Sequence, residues 1–155
     1  MRTVPLKEVA EVNPRPSRSR GMDVSAPVSF LPMASVSEEG WIIDEQERSL
    51  GEVVKGYTAF AEGDVLVAKI TPCMENGKAA LVRKMRHRVG YGSTEFHVLR
   101  PGEDIDARFL FYLVWNPEFR AKAARNMTGT AGQKRVPASF LADYPVPLPP
   151  LAEQR

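Results

Sequence analysis

A glycine-rich segment near the end of the chain carries side chains that are well suited to bind a polyanion. Residues 128–135, with the sequence TGTAGQKR, contribute Thr128, Thr130, Gln133, Lys134 and Arg135. Cationic side chains donate hydrogen bonds to phosphates and to guanine, a glutamine amide can pair with adenine, and threonine hydroxyls contact bases or phosphates. The glycines at 129 and 132 would let the backbone approach a ligand closely. These residue types predict nucleic-acid binding at this loop.

A second group of polar side chains surrounds a predicted β-hairpin and the strand beside it. The β-formers of residues 64–71 predict one strand, Asn76-Gly77 predicts a turn, and residues 78–83 predict the returning strand. The candidate contacts here are cations and hydroxyls, namely Lys69, Thr71, Lys78, Arg83, Ser93 and Thr94. We therefore expect the hairpin and the loop at 128–135 to meet the same ligand.

Charge is segregated along the sequence although the formal net charge is only +2. Residues 69–100 hold seven basic and two acidic side chains, and residues 120–135 hold five basic and no acidic ones. Residues 1–20 hold five basic and two acidic side chains, whereas residues 38–64 hold two basic and eight acidic ones. Such asymmetry predicts a basic face for a polyanion and an acidic face turned away from it, provided that the fold brings the basic segments together.

Residues that could support catalysis do not form a convincing set. Cys73 follows a proline, as the nucleophile of cytosine-5 methyltransferases does, but no glycine-rich turn of a cofactor-binding domain accompanies it. The glycines of residues 129–134 lack P-loop spacing, and His87 and His97 do not pair at a metal-ligand spacing. We expect His97 at the surface or rim of a strand, and we expect no metal and no cofactor. Glu95 with Lys69 leaves a small DNA-processing enzyme as an alternative.

The length and composition favour one ordinary domain. The chain has 155 residues, of which 43% are hydrophobic and 26% charged, and its single cysteine allows no internal disulfide. The longest uninterrupted apolar run, residues 109–115, is far shorter than the ~20 residues that span a membrane. Charged residues near the N-terminus argue against a signal peptide. We expect a cytoplasmic protein.

The pattern of elements predicts an α+β fold, because strands come first and helices follow. We expect a short helix over residues 4–12, strands over 28–33 and 93–99, a brief strand over 41–43 and a turn at 90–92. We further expect helices over 107–115, capped by Asp104 or Asp106, and over 117–127, then one helical turn over 138–142 and an extended edge strand within 144–151.

The order of several motifs resembles the target recognition domain of the specificity subunit of type I restriction–modification systems. The most specific motifs are TPCMENGKAA (71–80), GSTEFHVLRP (92–101) and PLPPLAEQR (147–155). Further pieces are VPLKEVAEVNPRP, FLPMASV and MTGTAGQKRVPASFL, so that the resemblance covers residues 4–155.

The resemblance implies an α+β fold with a twisted, partly curled mixed β-sheet and short helices, in which residues 1–155 form a single recognition domain. It implies binding of double-stranded DNA at one half of a split site, without catalysis. Methylation would belong to a modification subunit and cleavage to a restriction subunit. From its charge, we expect the acidic segment 38–64 to face away from the DNA and towards the modification subunit. A second recognition domain or self-association could complete the site.

The family also places a long spacer helix directly after PLPPLAEQR. Because the chain ends at Arg155, we expect that helix to be absent from it and DNA binding to be weaker than in an intact subunit.

A protein-interaction or assembly module remains the alternative function. In that case the proline-rich tail at 145–150 and the apolar helix at 107–115 would be partner surfaces, and the basic surface would be incidental. Dependence on salt discriminates the two functions, because phosphate contacts make DNA binding weaken steeply as salt rises.

Overall fold

The structure, a computed structural model of the chain, describes residues 2–16 and 19–155. Arg18, one of the basic residues of segment 1–20, lies outside the described residues. The strands are β1 (Arg2–Pro5), β2 (Ala10–Val12), β3 (Pro27–Leu31), β4 (Gln46–Ser49), β5 (Thr58–Phe60), β6 (Val65–Ala68), β7 (Ala79–Leu81), β8 (Gly90–Gly92), β9 (Phe96–Pro101) and β10 (Pro145–Leu148). The helices are α1 (Leu50–Val53), α2 (Ala107–Trp115), α3 (Pro117–Arg125), α4 (Ala138–Asp143) and α5 (Leu151–Gln154).

The strands form three sheets. The antiparallel sheet has the order β2-β9-β6-β7, and the mixed sheet has the order β4-β3-β8-β5, with β3 and β8 parallel. A two-stranded ribbon pairs β1 with β10, so that the two ends of the chain are joined. The predicted α+β class, with mixed β-structure and short helices, is confirmed.

Alternation along the central strands builds the core in layers. In β6, Val65 and Val67 pack with buried residues of α2, α3 and α4, whereas Leu66 between them packs with Leu31 of β3. Successive side chains of a strand point to opposite faces, so one strand can serve two layers. The antiparallel sheet therefore lies between the helices and the mixed sheet. The far face of the mixed sheet packs against α1 through Val53 and its neighbours.

The two longer helices begin where their local sequence predicts. The Asp106 carboxylate accepts hydrogen bonds from the backbone N–H groups of Arg108 (2.8 Å) and Phe109 (3.4 Å) at the start of α2. Asn116 caps α3 in the same way, with Pro117 at the first helical position. Such caps satisfy N–H groups that have no partner within the helix. The predicted hairpin is also confirmed, since β6 and β7 pair antiparallel with Val65 opposite Leu81.

The prediction of a helix over residues 4–12 is wrong. Those residues form β1, a 3-10 turn at Leu6–Glu8 and β2. Their strand partners are β10 and β9, which lie about 90 to 145 residues further along the chain. Pairing with distant strands outweighs a weak local helix preference here.

Two further expectations fail in the mixed sheet. Residues 90–92 are not a turn but strand β8, where a Cβ at Gly90 would lie only 2.5 Å from the Phe60 ring. Glycine is used there for close packing. The brief strand over 41–43 is reduced to one bridge between Val36 and Ile42, and the regular strand of this region is β4.

Candidate nucleic-acid interface

Three segments that are far apart in sequence meet beside the end of β6. The Lys69 N–H donates to the carbonyl of Glu95 (2.8 Å), and the Val136 N–H donates to the carbonyl of Lys69 (2.8 Å). The Thr71 N–H donates to the carbonyl of Lys134 (2.9 Å). Residues 69–71, 93–95 and 128–135 thus form one continuous surface, which we call the three-segment surface.

The loop at 128–135 is closed by its own backbone. Thr128 and Arg135 exchange two N–H···O hydrogen bonds of 2.9 Å, and the Gln133 N–H donates to the Thr130 carbonyl (2.9 Å). Gly129 and Gly132 have φ angles of 115° and 83°, which side-chain-bearing residues rarely adopt. The two glycines therefore form the bends of a closed, hairpin-like loop, and their predicted close approach to a ligand stays a prediction.

An ion pair joins this loop to the turn before β9. The Nε and Nη2 of Arg135 donate to the Glu95 carboxylate at 2.7–3.1 Å, and Nη1 donates to the carbonyl of Gln133 at 3.2 Å. The hydrogen bonds from Arg135 lower the pKa of the Glu95 carboxyl below its ordinary value of 4.5, against the opposing effect of partial burial. The carboxylate is therefore charged at neutral pH.

A buried histidine lies beneath the loop, and its expected surface position is wrong. His97 is only 4% exposed. Its Nε2 lies 2.7 Å from the Val136 carbonyl and its Nδ1 lies 3.1 Å from the side-chain nitrogen of Asn13. Both contacts are satisfied if Nε2 carries the proton and Nδ1 accepts. Burial lowers the pKa of His97 below 6.5, which favours this neutral form.

Most of the predicted contact residues of the loop are free to meet a ligand. Thr128, Thr130, Gln133 and Lys134 are exposed, as is Thr94 on the adjoining turn. Their hydroxyl, amide and ammonium groups can donate to phosphate oxygens and to base edges. Lys69 lies close enough to help lower the pKa of Glu95, so it adds positive charge to the same surface.

Four other predicted site residues have different surroundings. Thr71 donates to the Glu75 carboxylate (2.6 Å), and the Ser93 hydroxyl accepts from the Glu95 N–H (3.0 Å), so both side chains stabilise turns of the three-segment surface. Lys78 donates from Nζ to the Met33 carbonyl (3.1 Å). Arg83 lines a separate cleft beside Trp41 and Tyr112. The fold therefore gathers nine of the eleven predicted residues and leaves Lys78 and Arg83 apart from them.

The densest basic run of the sequence, residues 83–88, packs against acidic residues. The backbone N–H of Arg86 donates to the Glu45 carboxylate (3.0 Å), and the His87 side chain contacts Glu47 (2.6 Å). The Met85 N–H donates to Glu62 (2.8 Å). The basic segment 69–100 is consequently divided, because residues 69–71 and 93–95 join the loop at 128–135, whereas residues 85–87 and Arg100 bind acidic residues of the segment 38–64.

Helix α2 serves mainly as core. Leu110, Phe111 and Val114 are buried, whereas Tyr112 is 62% exposed. Tyr112 lines a cleft of about 680 Å³ together with the exposed side chains of Trp41 and Ile43.

Neither a metal centre nor a membrane segment is found among the described residues. Residues 2–16 and 19–155 contain no group of three or more His, Cys, Asp or Glu side chains placed to hold a metal ion. Within the same residues, each helix is too short or too polar to cross a membrane. The carboxylate of Glu95, the candidate for nuclease chemistry, accepts hydrogen bonds from Arg135.

Comparison with known proteins identifies the family. The family model described as the type I restriction modification DNA specificity domain matches residues 1–155. The chain belongs to this family. It is 40% identical over 153 residues to the type I restriction enzyme EcoEI specificity subunit of Escherichia coli and 43% identical over 151 residues to the EcoAI specificity subunit of the same organism. These matches cover 97% and 96% of this chain, which spans only 25% of the length of each relative.

Solved structures of the family have the same fold. The HsdS subunit from Thermoanaerobacter tengcongensis superposes with a TM-score of 0.78 at 23% identity, over 99% of this chain and 39% of that one. A chain from a study of complex assembly and conformational transition of the type I R-M system gives 0.76 at 26% identity, over 98% of this chain and 38% of that one. This DNA specificity domain thus has the family fold and corresponds to part of the longer subunits.

Sequence reasoning missed Glu95 and Asn13 as residues that shape the surface. One signal for Glu95 was present, since it is one of only two acidic residues in the basic segment 69–100. Asn13 gave a weaker signal as the residue before Pro14, and its φ of 53° places it at a sharp bend. Its side chain binds both His97 and the Val98 backbone.

Proposed function

We propose that this domain binds double-stranded DNA in a sequence-specific manner, recognises one half of a split target site and performs no catalysis itself. The observation that carries the proposal is the convergence of three distant segments into the three-segment surface. It presents a closed loop with an exposed lysine, glutamine and two threonines beside Lys69 and Thr94. Family membership supports it, because the family is described as a DNA specificity domain.

Within this surface the side chains have separate proposed roles. Lys69 and Lys134 neutralise phosphates, and Gln133 with the exposed threonines contacts base edges, since only groups with directional donors and acceptors discriminate bases. Ser93 and Thr71 shape the backbone around them. Contacts of Lys78 and Arg83 with DNA stay predictions, which the clustering does not support.

The domain would direct partner subunits to its DNA target. The Escherichia coli relatives are specificity subunits of restriction enzymes. We therefore propose that a modification subunit and a restriction subunit carry out methylation and cleavage, and that a second recognition domain completes the split site. A spacer helix after residue 155 would join the two domains. We also propose that the domain acts in the cytoplasm, since its relatives are bacterial specificity subunits. We propose that the acidic segment 38–64 faces away from the DNA.

Selection from a randomised duplex pool tests the function. The purified 155-residue chain is mixed with the pool at low salt, and the bound DNA is sequenced over several rounds. The proposal predicts enrichment of a short motif of a few base pairs. Failure to enrich any motif, or metal-dependent nicking of the bound duplex, would contradict it.

A variant pair locates base recognition within the domain. Gln133→Ala removes an exposed amide from the loop, and we expect it to relax preference at one position of the enriched motif. Gln46→Ala is the matched control, because Gln46 lies in β4 and its amide oxygen accepts from Arg48 (2.7 Å). The control should enrich the same motif as the unaltered chain.

A further inference from the structure

The loop at 128–135 is tied to the rest of the domain mainly around Arg135. The backbone of Arg135 pairs with Thr128 and also forms a bridge with Ile70. The adjoining residues contribute the hydrogen bonds from the Thr71 N–H to Lys134 and from the Val136 N–H to Lys69. The opposite end of the loop, from Gly129 to Gly132, has no such ties among the hydrogen bonds of the described residues. The shape of the loop therefore depends on how firmly Arg135 is held.

The side chain of Arg135 is turned towards the protein. Three of its nitrogens donate to protein oxygens, two of them to Glu95 and one to the Gln133 carbonyl within the loop. A planar guanidinium bound to a carboxylate by two nitrogens has a fixed orientation. Its side chain is nevertheless 44% exposed, against 24% for that of Glu95. Arg135 thus connects a carboxylate below the loop to a carbonyl inside it.

Glu95 is itself well anchored. Its N–H donates to the Ser93 hydroxyl (3.0 Å), and its carbonyl accepts from the Lys69 N–H (2.8 Å). A carboxylate at a DNA-binding surface repels phosphates unless a cation neutralises it. Glu95 therefore weakens DNA binding by its charge unless it contributes to binding in another way. Its contact with Arg135 is such a contribution.

We propose that Glu95 is a positioning residue, which holds the loop at 128–135 in the shape that presents Gln133 and Lys134 to DNA by fixing the side chain of Arg135. This inference rests on the proposed function. It makes Arg135, one of the predicted DNA-binding residues, a part of the support, and it adds to the DNA interface an acidic residue that does not touch DNA.

The sign of the effect on DNA binding separates positioning from electrostatics. Glu95→Gln removes a negative charge, so electrostatics alone would strengthen binding to every duplex. Positioning instead predicts that affinity for the enriched duplex falls about three- to tenfold, because a smaller fraction of molecules holds the competent loop. Affinity for an unrelated duplex should stay equal or rise. Dissociation constants measured for both duplexes distinguish the positioning role from the electrostatic effect.

Hydrogen exchange tests the loop without DNA. The N–H groups of Thr128 and Arg135 close the loop, and we expect both to exchange about tenfold faster in Glu95→Gln, with the unfolding temperature of the domain nearly unchanged. Glu118→Gln is the matched control, because it removes one carboxylate from the exposed ion pair with Lys122 on α3. The control should alter neither the exchange nor the binding.

A charge exchange completes the test. The double variant Glu95→Arg with Arg135→Glu restores an ion pair of reversed polarity, and it should recover part of the lost protection and affinity. If Glu95→Gln folds poorly, the double variant tests the positioning role instead, by whether it recovers protection and affinity. Unchanged specific affinity in Glu95→Gln, or unchanged exchange of Thr128 and Arg135, would overturn the positioning role alone. Absence of any enriched motif for the unaltered chain would overturn the proposed function and the positioning role together.

Discussion

Two basic segments of this domain, residues 83–88 and the loop at 128–135, both expose cations but differ in their acidic neighbours. The run RKMRHR has the higher density of positive charge, yet Glu45, Glu47 and Glu62 bind its backbone and its histidine. The loop has two cations, of which Arg135 is bound to Glu95 and Lys134 is exposed. Charge density along a sequence therefore says little about a binding surface until the folded neighbours of each charge are known.

Charge reversal at one lysine of each segment should give the largest difference in DNA affinity between the two segments. Lys134→Glu places a negative charge on the exposed loop, and we expect affinity for the enriched duplex to fall about 10- to 100-fold, as for the loss of ~1–3 kcal/mol of contact free energy. Lys84→Glu makes the same change in the run at 83–88 and should alter affinity less than threefold. Equal losses in the two variants, measured by fluorescence anisotropy, would remove the distinction between the segments.

A change in the shape of the loop at 128–135 should have the second-largest effect on DNA binding. Gly129→Ala adds a Cβ at a φ of 115°, only 3.1 Å from the Gln133 carbonyl oxygen, and such strain costs about 1–3 kcal/mol. We expect roughly tenfold weaker specific binding. Gly56→Ala is the control, because its φ is 97° but no atom lies within 4 Å of the added Cβ and the site is outside the three-segment surface. It should lose some stability and keep its affinity.

The buried histidine, His97, should make the stability of the domain depend on pH. The pKa of His97 is lowered in the folded state, so the unfolded state binds more protons once the pH falls below 6.5 and the free energy of unfolding then decreases. We expect His97→Gln to flatten this dependence between pH 6.5 and 5, whereas His87→Gln at the exposed contact with Glu47 should retain it. Urea denaturation at several pH values measures the slope. An unchanged slope in His97→Gln would mean that His97 is not held neutral.

The smallest expected effect comes from removing one acidic neighbour of the run at 83–88, whose cations are already exposed. Glu47→Gln removes the carboxylate beside His87, and we expect binding to unrelated DNA to strengthen by about twofold at low salt. The free energy of unfolding should change by less than ~1 kcal/mol, as is usual for exposed ion pairs. A gain much larger than this would show that residues 83–88 are a DNA-binding segment suppressed by their acidic neighbours.

Elements with local signals could be predicted from the sequence, and those with distant partners could not. Helix α2 begins at a capping aspartate, α3 begins at Asn-Pro, and the β6–β7 hairpin has its turn in between. Strands β1 and β2 have weak local patterns, and pairing with β10 and β9 at the other end of the domain fixes them. Strand β8 contains two glycines in three residues, and tight packing explains them, because Gly90 lies against Phe60 and Met85 and Gly92 lies against the Leu31 carbonyl.

The same division applies to the site. The loop at 128–135 was recognisable because glycines, a glutamine and cations are adjacent in sequence. The residues that support the loop could not be recognised in this way, because Glu95 lies 40 residues before Arg135 and His97 lies 39 residues before Val136. Alternation along a strand places Phe96 and Val98 of β9 on one face, and both side chains are buried. It could not tell that the opposite face, which carries His97, is covered by the loop.

Mapping the bound surface residue by residue tests the central claim most directly. Amide chemical shifts of the 155-residue chain are recorded by NMR during titration with the enriched duplex, and the shift changes are plotted along the sequence. The account predicts the largest changes at residues 69–71, 93–95 and 128–135, with small changes at 83–88 and across the acidic segment 38–64. Changes centred on residues 83–88, with the loop at 128–135 unaffected, would contradict it.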